Sequence, residues 1–175
     1  MARTGPPHAR LPAGDVFAVC LLGFFILAAL SIELYYILNV HTLPERTDLF
    51  AKAYAWYGKA DRTYDGYGDV SVALALETIN VFVTQILNLI LVWAIVGRKV
   101  FRYPLQLAVS AYVTYSVVFY QWLQQVSHYE NMPHKTVEAY LLFLANLPWL
   151  AGYGYLGYRS FLVILRRFSV VGSPQ

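Results

Sequence analysis

Four stretches of the chain carry apolar residues almost without a break. They run from about Asp15 to Val40, Val70 to Val96, Pro104 to Val126 and Val137 to Leu165. A helix needs roughly 20 mostly apolar residues to cross a bilayer. The pattern therefore predicts an all-α integral membrane protein, a four-transmembrane-helix bundle over residues 15–165, with tails at 1–14 and 166–175. A cleaved signal peptide competes for the first stretch, because Arg3 and Arg10 resemble its basic start. The apolar run is longer than a signal core of about 7–15 residues and ends in aromatics and a glutamate, which favours a span.

Polar positions inside the spans recur at helical spacing. Glu77, Asn80, Thr84 and Asn88 fall on one face of the second span; Gln106, Ser110, Thr114 and Gln121 on one face of the third; Asn146, Trp149 and Tyr153 on one face of the fourth. Interhelical hydrogen bonds, about 0.6 kcal/mol per pair, account for the amides and hydroxyls. They account poorly for Glu33 and Glu77, since a charge at mid-bilayer costs about 2.5–3.5 kcal/mol and an amide would bond at lower desolvation cost. Both glutamates fall toward the same membrane face, so the pattern predicts that they meet in an inward cavity.

Composition narrows the class. Hydrophobic residues make up 58% and charged residues 13%, against about 25% charged in soluble domains, and the mean hydropathy is +0.47. This excludes an ordinary soluble globule, a disordered chain, a nucleic-acid-binding tail and a disulfide scaffold. The single cysteine, Cys20, is expected to be a small buried hydrophobe. The four histidines all lie outside the spans. No metal cluster or nucleotide-binding glycine pattern occurs, so no cofactor or metal is expected.

Charge sets the orientation. Arg3 and Arg10, then Arg98, Lys99 and Arg102, then Arg166 and Arg167 share one side, which the positive-inside rule makes cytoplasmic. Both termini are then cytoplasmic and the loop 41–69 is luminal. Tyrosines 35, 36, 64, 67, 103 and 129 are placed as an interfacial belt. The first loop, rich in aromatics, glycines and charges over 54–69, reads as an interfacial segment or as a lid over the cavity. Lys59, Asp61, Arg62 and Asp69 would form exposed pairs there.

A carboxyl group kept from water can stay a neutral acid near neutral pH, and a second one nearby reinforces this. Such a pair can give a proton on one side of a substrate and take one on another. The face of Trp149 would stabilise a passing cation. An apolar cage, a carboxylic acid and an aromatic face suit carbocation chemistry on a lipid.

Several motifs resemble the emopamil-binding protein family, also called EXPERA-domain proteins. They are Tyr57-Gly-Lys-Ala-Asp61 with Tyr64, Gly68-Asp69 and Glu77-Thr-Ile79; Ile32-Glu33 before aromatics; Leu105-Gln-Leu107 with Val109-Ser110 and Tyr115; and Asn146-x-x-Trp149. The resemblance spans about residues 20–158, one motif per predicted span. It implies a bundle with a sterol-sized cavity, endoplasmic-reticulum localisation and sterol Δ8-to-Δ7 isomerisation. Relatives include the non-isomerising sigma-2 receptor and microbial terpenoid isomerases or cyclases. By position, Glu33 and Glu77 match the acid/base carboxylates, Asn146 an orienting group and Trp149 the cation-stabilising ring. The isomerases have a histidine where this chain has Ala29, commonly a threonine where it has Asn80, and a glycine where it has Leu34, which narrows that wall. They also have an extra amino-terminal helix, and Pro148 would kink the fourth span here. Losing the histidine removes one acid/base partner and leaves the carboxylate pair.

The expectation is thus an isomerase or cyclase of a sterol or other isoprenoid. Glu77 is assigned as donor, Glu33 as acceptor or partner, Trp149 as cation stabiliser and Asn146 and Asn80 as orienting groups. Thr84, Ser110, Tyr115 and Tyr153 are assigned to substrate binding. The partners expected are a hydrophobic small molecule, membrane lipid and a second copy in a homodimer, with no nucleic acid. A non-catalytic sterol binder and a structural membrane subunit are the alternatives.

Overall fold

A computed structural model describes residues 10–128, 130, 132 and 135–171. Among these, five α-helices carry the fold: α1 (Ala13–Asn39), α2 (Leu49–Tyr57), α3 (Ser71–Val96), α4 (Arg102–Val126) and α5 (Lys135–Val171). Of these, α1 and α3 are long and apolar enough to cross a membrane. The polar stripes already noted lower the hydropathy of α4 and α5, although they are 25 and 37 residues long. Helix α5 runs unbroken through Pro148 and six residues past its predicted end at Leu165.

Helices α1 and α3 lie antiparallel: the start of α1 packs on the end of α3, and the end of α1 on the start of α3. Helix α4 packs along α5. Two apolar clusters hold the bundle. One gathers Ala18, Leu22, Phe25, Leu91, Ile95, Val109, Val113, Tyr153 and Leu156. The other gathers Tyr36, Val40, Leu43, Ala51, Tyr54, Tyr64, Ala73, Tyr120, Met132 and Leu142 and fastens α2 to the bundle. Leu27, Leu38, Ile86, Leu89, Trp93, Val118, Trp122 and Leu144 face outward and exposed. So much outward apolar surface is foreign to a monomeric soluble protein.

Close approach depends on small residues. A Cβ built on Gly152 of α5 would stand 2.5 Å from Phe25 Cζ and 3.3 Å from Leu21 Cδ1. Phe25 cannot yield easily, because it stacks on Tyr153 at 4.6 Å and touches the Trp149 ring. Gly152→Val is expected to destabilise the fold by about 1–3 kcal/mol through overpacking. Thermal unfolding in detergent checks this, and an unchanged midpoint would contradict the packing described.

Each of α1 and α3 contains one π-turn, at Ala29–Glu33 and Asn80–Thr84. Such turns loosen the backbone ladder and concentrate at functional sites. The two face each other. The Ile32 carbonyl, within the first π-turn, accepts the Tyr54 hydroxyl at 2.9 Å. Asp48 starts α2 by accepting Ala51 N–H at 3.2 Å, and also accepts the Tyr35 hydroxyl at 2.6 Å and Arg46 Nε at 2.9 Å. These bonds, the Tyr35 hydroxyl first, hold its carboxyl below the usual range, at about 2.

Three expectations need correction. Cys20 is exposed on the outer face of α1, because the helix turns its Ala18–Leu22–Phe25 edge inward to the apolar cluster. Tyr36, Tyr64 and Tyr103 are buried rather than belted at an interface; their hydroxyls find internal partners, as with Tyr36 to the Thr63 carbonyl at 2.8 Å. Asp61 forms no exposed pair: it is fully buried and accepts from Thr63 N, Thr63 Oγ1, Tyr120 and Gln124. Arg3, Tyr129 and residues 172–175, for which the sequence also carries expectations, lie outside the described residues.

Candidate functional site

Between the two apolar clusters lies a cavity of about 350 Å³, inside the usual range for ligand sites of about 300–1,000 Å³. Glu33 and Glu77 both line it. The π-turn of α1 brings Glu33 inward, where Asn80 Nδ2 donates to its Oε2. Helix α3 brings Glu77, whose Oε1 accepts the Tyr64 hydroxyl at 2.9 Å. The two carboxyl groups are near enough for their charges to interact.

Aromatic rings close the space around them. Trp149 and Asn146 come from α5; Tyr54, Trp56 and Tyr57 from α2; Tyr64 from the turn after it; and Tyr120 from α4. Ile32, Leu76, Val113 and Val117 complete an apolar wall. Asn146 Nδ2 donates to the Leu142 carbonyl at 2.9 Å. Burial pushes the phenols of Tyr57 and Tyr64 well above their ordinary range, so both remain protonated donors. The loop read as interfacial segment or lid thus roofs one end of the cavity.

The structure brings together Glu33, Glu77, Asn80, Asn146 and Trp149 around this cavity. Thr84, which is buried, and Tyr115 line a second recess of about 220 Å³ that shares Leu76, Asn80 and Ser116 with the cavity. Tyr115 is 67% exposed on the outer face of α4. Ser110 serves helix packing: its Cβ lies 3.1 Å from where Gly157 would carry one. Tyr153 is sealed in the apolar cluster, its hydroxyl accepting from Asn88 at 2.7 Å. Leu34 does not line the cavity; Ile32 supplies that wall.

Sequence reasoning missed Tyr54, Tyr57, Tyr64 and Tyr120 as lining residues. The signal was present for Tyr120, which continues the inward row Gln106, Ser110, Val113, Val117 on α4. It was absent for the loop tyrosines, whose inward aim depends on how α2 folds back over the bundle.

The site can offer two carboxyl groups, each with a neutral hydrogen-bond donor attached, across an apolar space walled by aromatic faces. Such rings stabilise a cation desolvated in their midst.

Residues 49–160, more than half of the chain, match the family described as EXPERA (EXPanded EBP superfamily). The match takes in Glu77, Asn80, Asn146 and Trp149, while Glu33 lies before it. No curated protein matches the chain.

Proposed function

The chain belongs to the EXPERA superfamily, and from that premise we propose that it is a four-span membrane isomerase or cyclase of a sterol or another isoprenoid. The observation that carries this reading is the pairing of Glu33 and Glu77 in one aromatic, apolar cavity. Glu77 gives its proton to an alkene carbon, forming a C–H bond and leaving a carbocation beside it. The Trp149 face steadies that cation. A neighbouring carbon then loses its proton to Glu33, and the alkene re-forms at a shifted position or after ring closure. Nothing is oxidised or reduced, and exchange through water returns the proton to Glu77. Asn80 and Asn146 hold carboxylate and substrate in place.

Four spans are supported by the outward apolar faces of all four long helices. The basic residues at 98–102 and 166–167 favour termini in the cytoplasm, and the resemblance to the isomerases favours the endoplasmic reticulum. A second reading, sterol binding without turnover as in the sigma-2 receptor, is favoured by Ala29 standing where the isomerases carry histidine.

Heavy water separates the two. Membranes holding the protein are incubated in it with Δ8 sterols and with terpenoid alkenes. An isomerase or cyclase is expected to leave one deuterium per turnover on the protonated carbon, read by mass spectrometry. Saturable sterol binding with no labelled product would leave the binder.

A further inference from the structure

Away from the cavity, the starts of α1 and α4 and the last third of α5 gather arginines around one carboxylate and one ring. Asp15, 1% exposed, accepts Arg102 Nη1 at 2.8 Å on Oδ2 and Arg159 Nη2 on Oδ1. Three guanidinium groups approach the Tyr103 ring, with Arg102 at 4.6 Å, Arg167 at 5.7 Å and Arg159 at 5.9 Å from its centroid. Arg102 also donates to the Tyr103 hydroxyl at 2.6 Å.

The charges do not balance. One carboxylate meets three cations, and residues 16–32, 89–128 and 139–175 contain no other Asp or Glu. Nearby, Lys99 lies over the Trp93 ring at 4.8 Å. Arg159 Nη1 is buried without a hydrogen-bond partner among the described residues. Like charges round one ring repel, and an orphaned buried donor is costly. Membrane topology explains basic residues at a membrane end, but it does not explain three of them converging on one buried aromatic ring.

We infer that this cluster is a binding site for a phosphate ester, the headgroup phosphate of an anionic membrane lipid. A phosphate supplies up to two negative charges, and guanidinium forks grip it in paired hydrogen bonds. Basic pockets between membrane helices hold such headgroups. Arg102 and Arg159 are oriented by Asp15, and Arg167, two helical turns beyond Arg159 on α5, closes the outer side.

The test uses the full chain in phosphatidylcholine nanodiscs, titrated with phosphatidic acid and, separately, inorganic phosphate. Native mass spectrometry and thermal unfolding are the readouts. One phosphatidic acid per chain is expected to bind saturably and raise the unfolding midpoint. Arg167→Gln, which leaves the Asp15 pairs intact, is expected to weaken it about tenfold without moving the midpoint in pure phosphatidylcholine. Arg167→Lys keeps the charge but lacks the fork, so it should recover only part of the affinity. Phosphatidic acid retained against excess inorganic phosphate assigns the site to lipid, whereas full displacement assigns the same site to the free anion. Equal retention of phosphatidic acid and phosphatidylcholine, or no effect of Arg167→Gln, overturns the proposal.

Discussion

Glu77→Gln is expected to cut turnover by about 10²–10⁴-fold, the usual contribution of a positioned acid or base, while sterol binding survives. The replacement is nearly isosteric. Its amide oxygen can still accept the Tyr64 hydroxyl that reaches Glu77 at 2.9 Å, so the roof of the cavity should stay in place. What disappears is the exchangeable proton. Glu33→Gln removes the second carboxyl of the cavity, to which Asn80 donates. If one carboxyl gives the proton and the other takes it, the two single variants should be similarly crippled, and the double variant should be little worse than either. Product release is followed with the labelled-water assay, and ligand retention by displacement of a radiolabelled sterol. Turnover at the parental rate in both variants would end the acid/base mechanism.

The second large effect concerns folding. Asp15→Asn is expected to destabilise the protein by about 3–5 kcal/mol, the penalty for removing one partner of a buried ion pair. The carboxylate is 1% exposed and joins α1 to Arg102 of α4 and Arg159 of α5. Asparagine leaves two guanidinium groups facing one another without an anion between them. Exchanging all three residues for well-packed apolar ones should recover most of the loss, because the desolvation penalty vanishes with the charges. Denaturant titration in micelles distinguishes these cases, and a single variant as stable as the parent would show that the pairs contribute nothing.

The architecture was readable in the sequence wherever hydrophobic periodicity speaks for it. The long helices sit close to their predicted bounds, since a run of apolar residues at 3.6-residue spacing has few other solutions. The inward aim of Glu77, Asn80, Asn146 and Trp149 followed from the same spacing. Glu33 was a different case: its inward aim relies on a backbone irregularity that side-chain pattern does not encode. Thr84 and Tyr115 border a recess that adjoins the cavity, and Ser110 fills a helix contact. A hydroxyl on an inward stripe can line a cavity, fill a helix contact or border another recess, and spacing does not tell these apart. Tertiary folding decided the rest. Asp61 looked like a solvated loop charge, yet it is buried under donors from Thr63, Tyr120 and Gln124, residues up to 63 positions away. Asp15 looked like the polar edge of a span, and its arginine partners lie 87 and 144 positions further on.

The facing π-turns at 29–33 and 80–84 bear on how such a protein can diversify. Each holds one residue more than a regular helical turn, so the halves of α1 and α3 on either side are out of phase by about 100°. Dropping that extra residue would close the turn into regular helix and leave both halves of the span facing as they do now. A one-residue change of length, ordinarily ruinous inside a span, is thus absorbed at these two points, beside Glu33 and Asn80, without turning the rest of the helix.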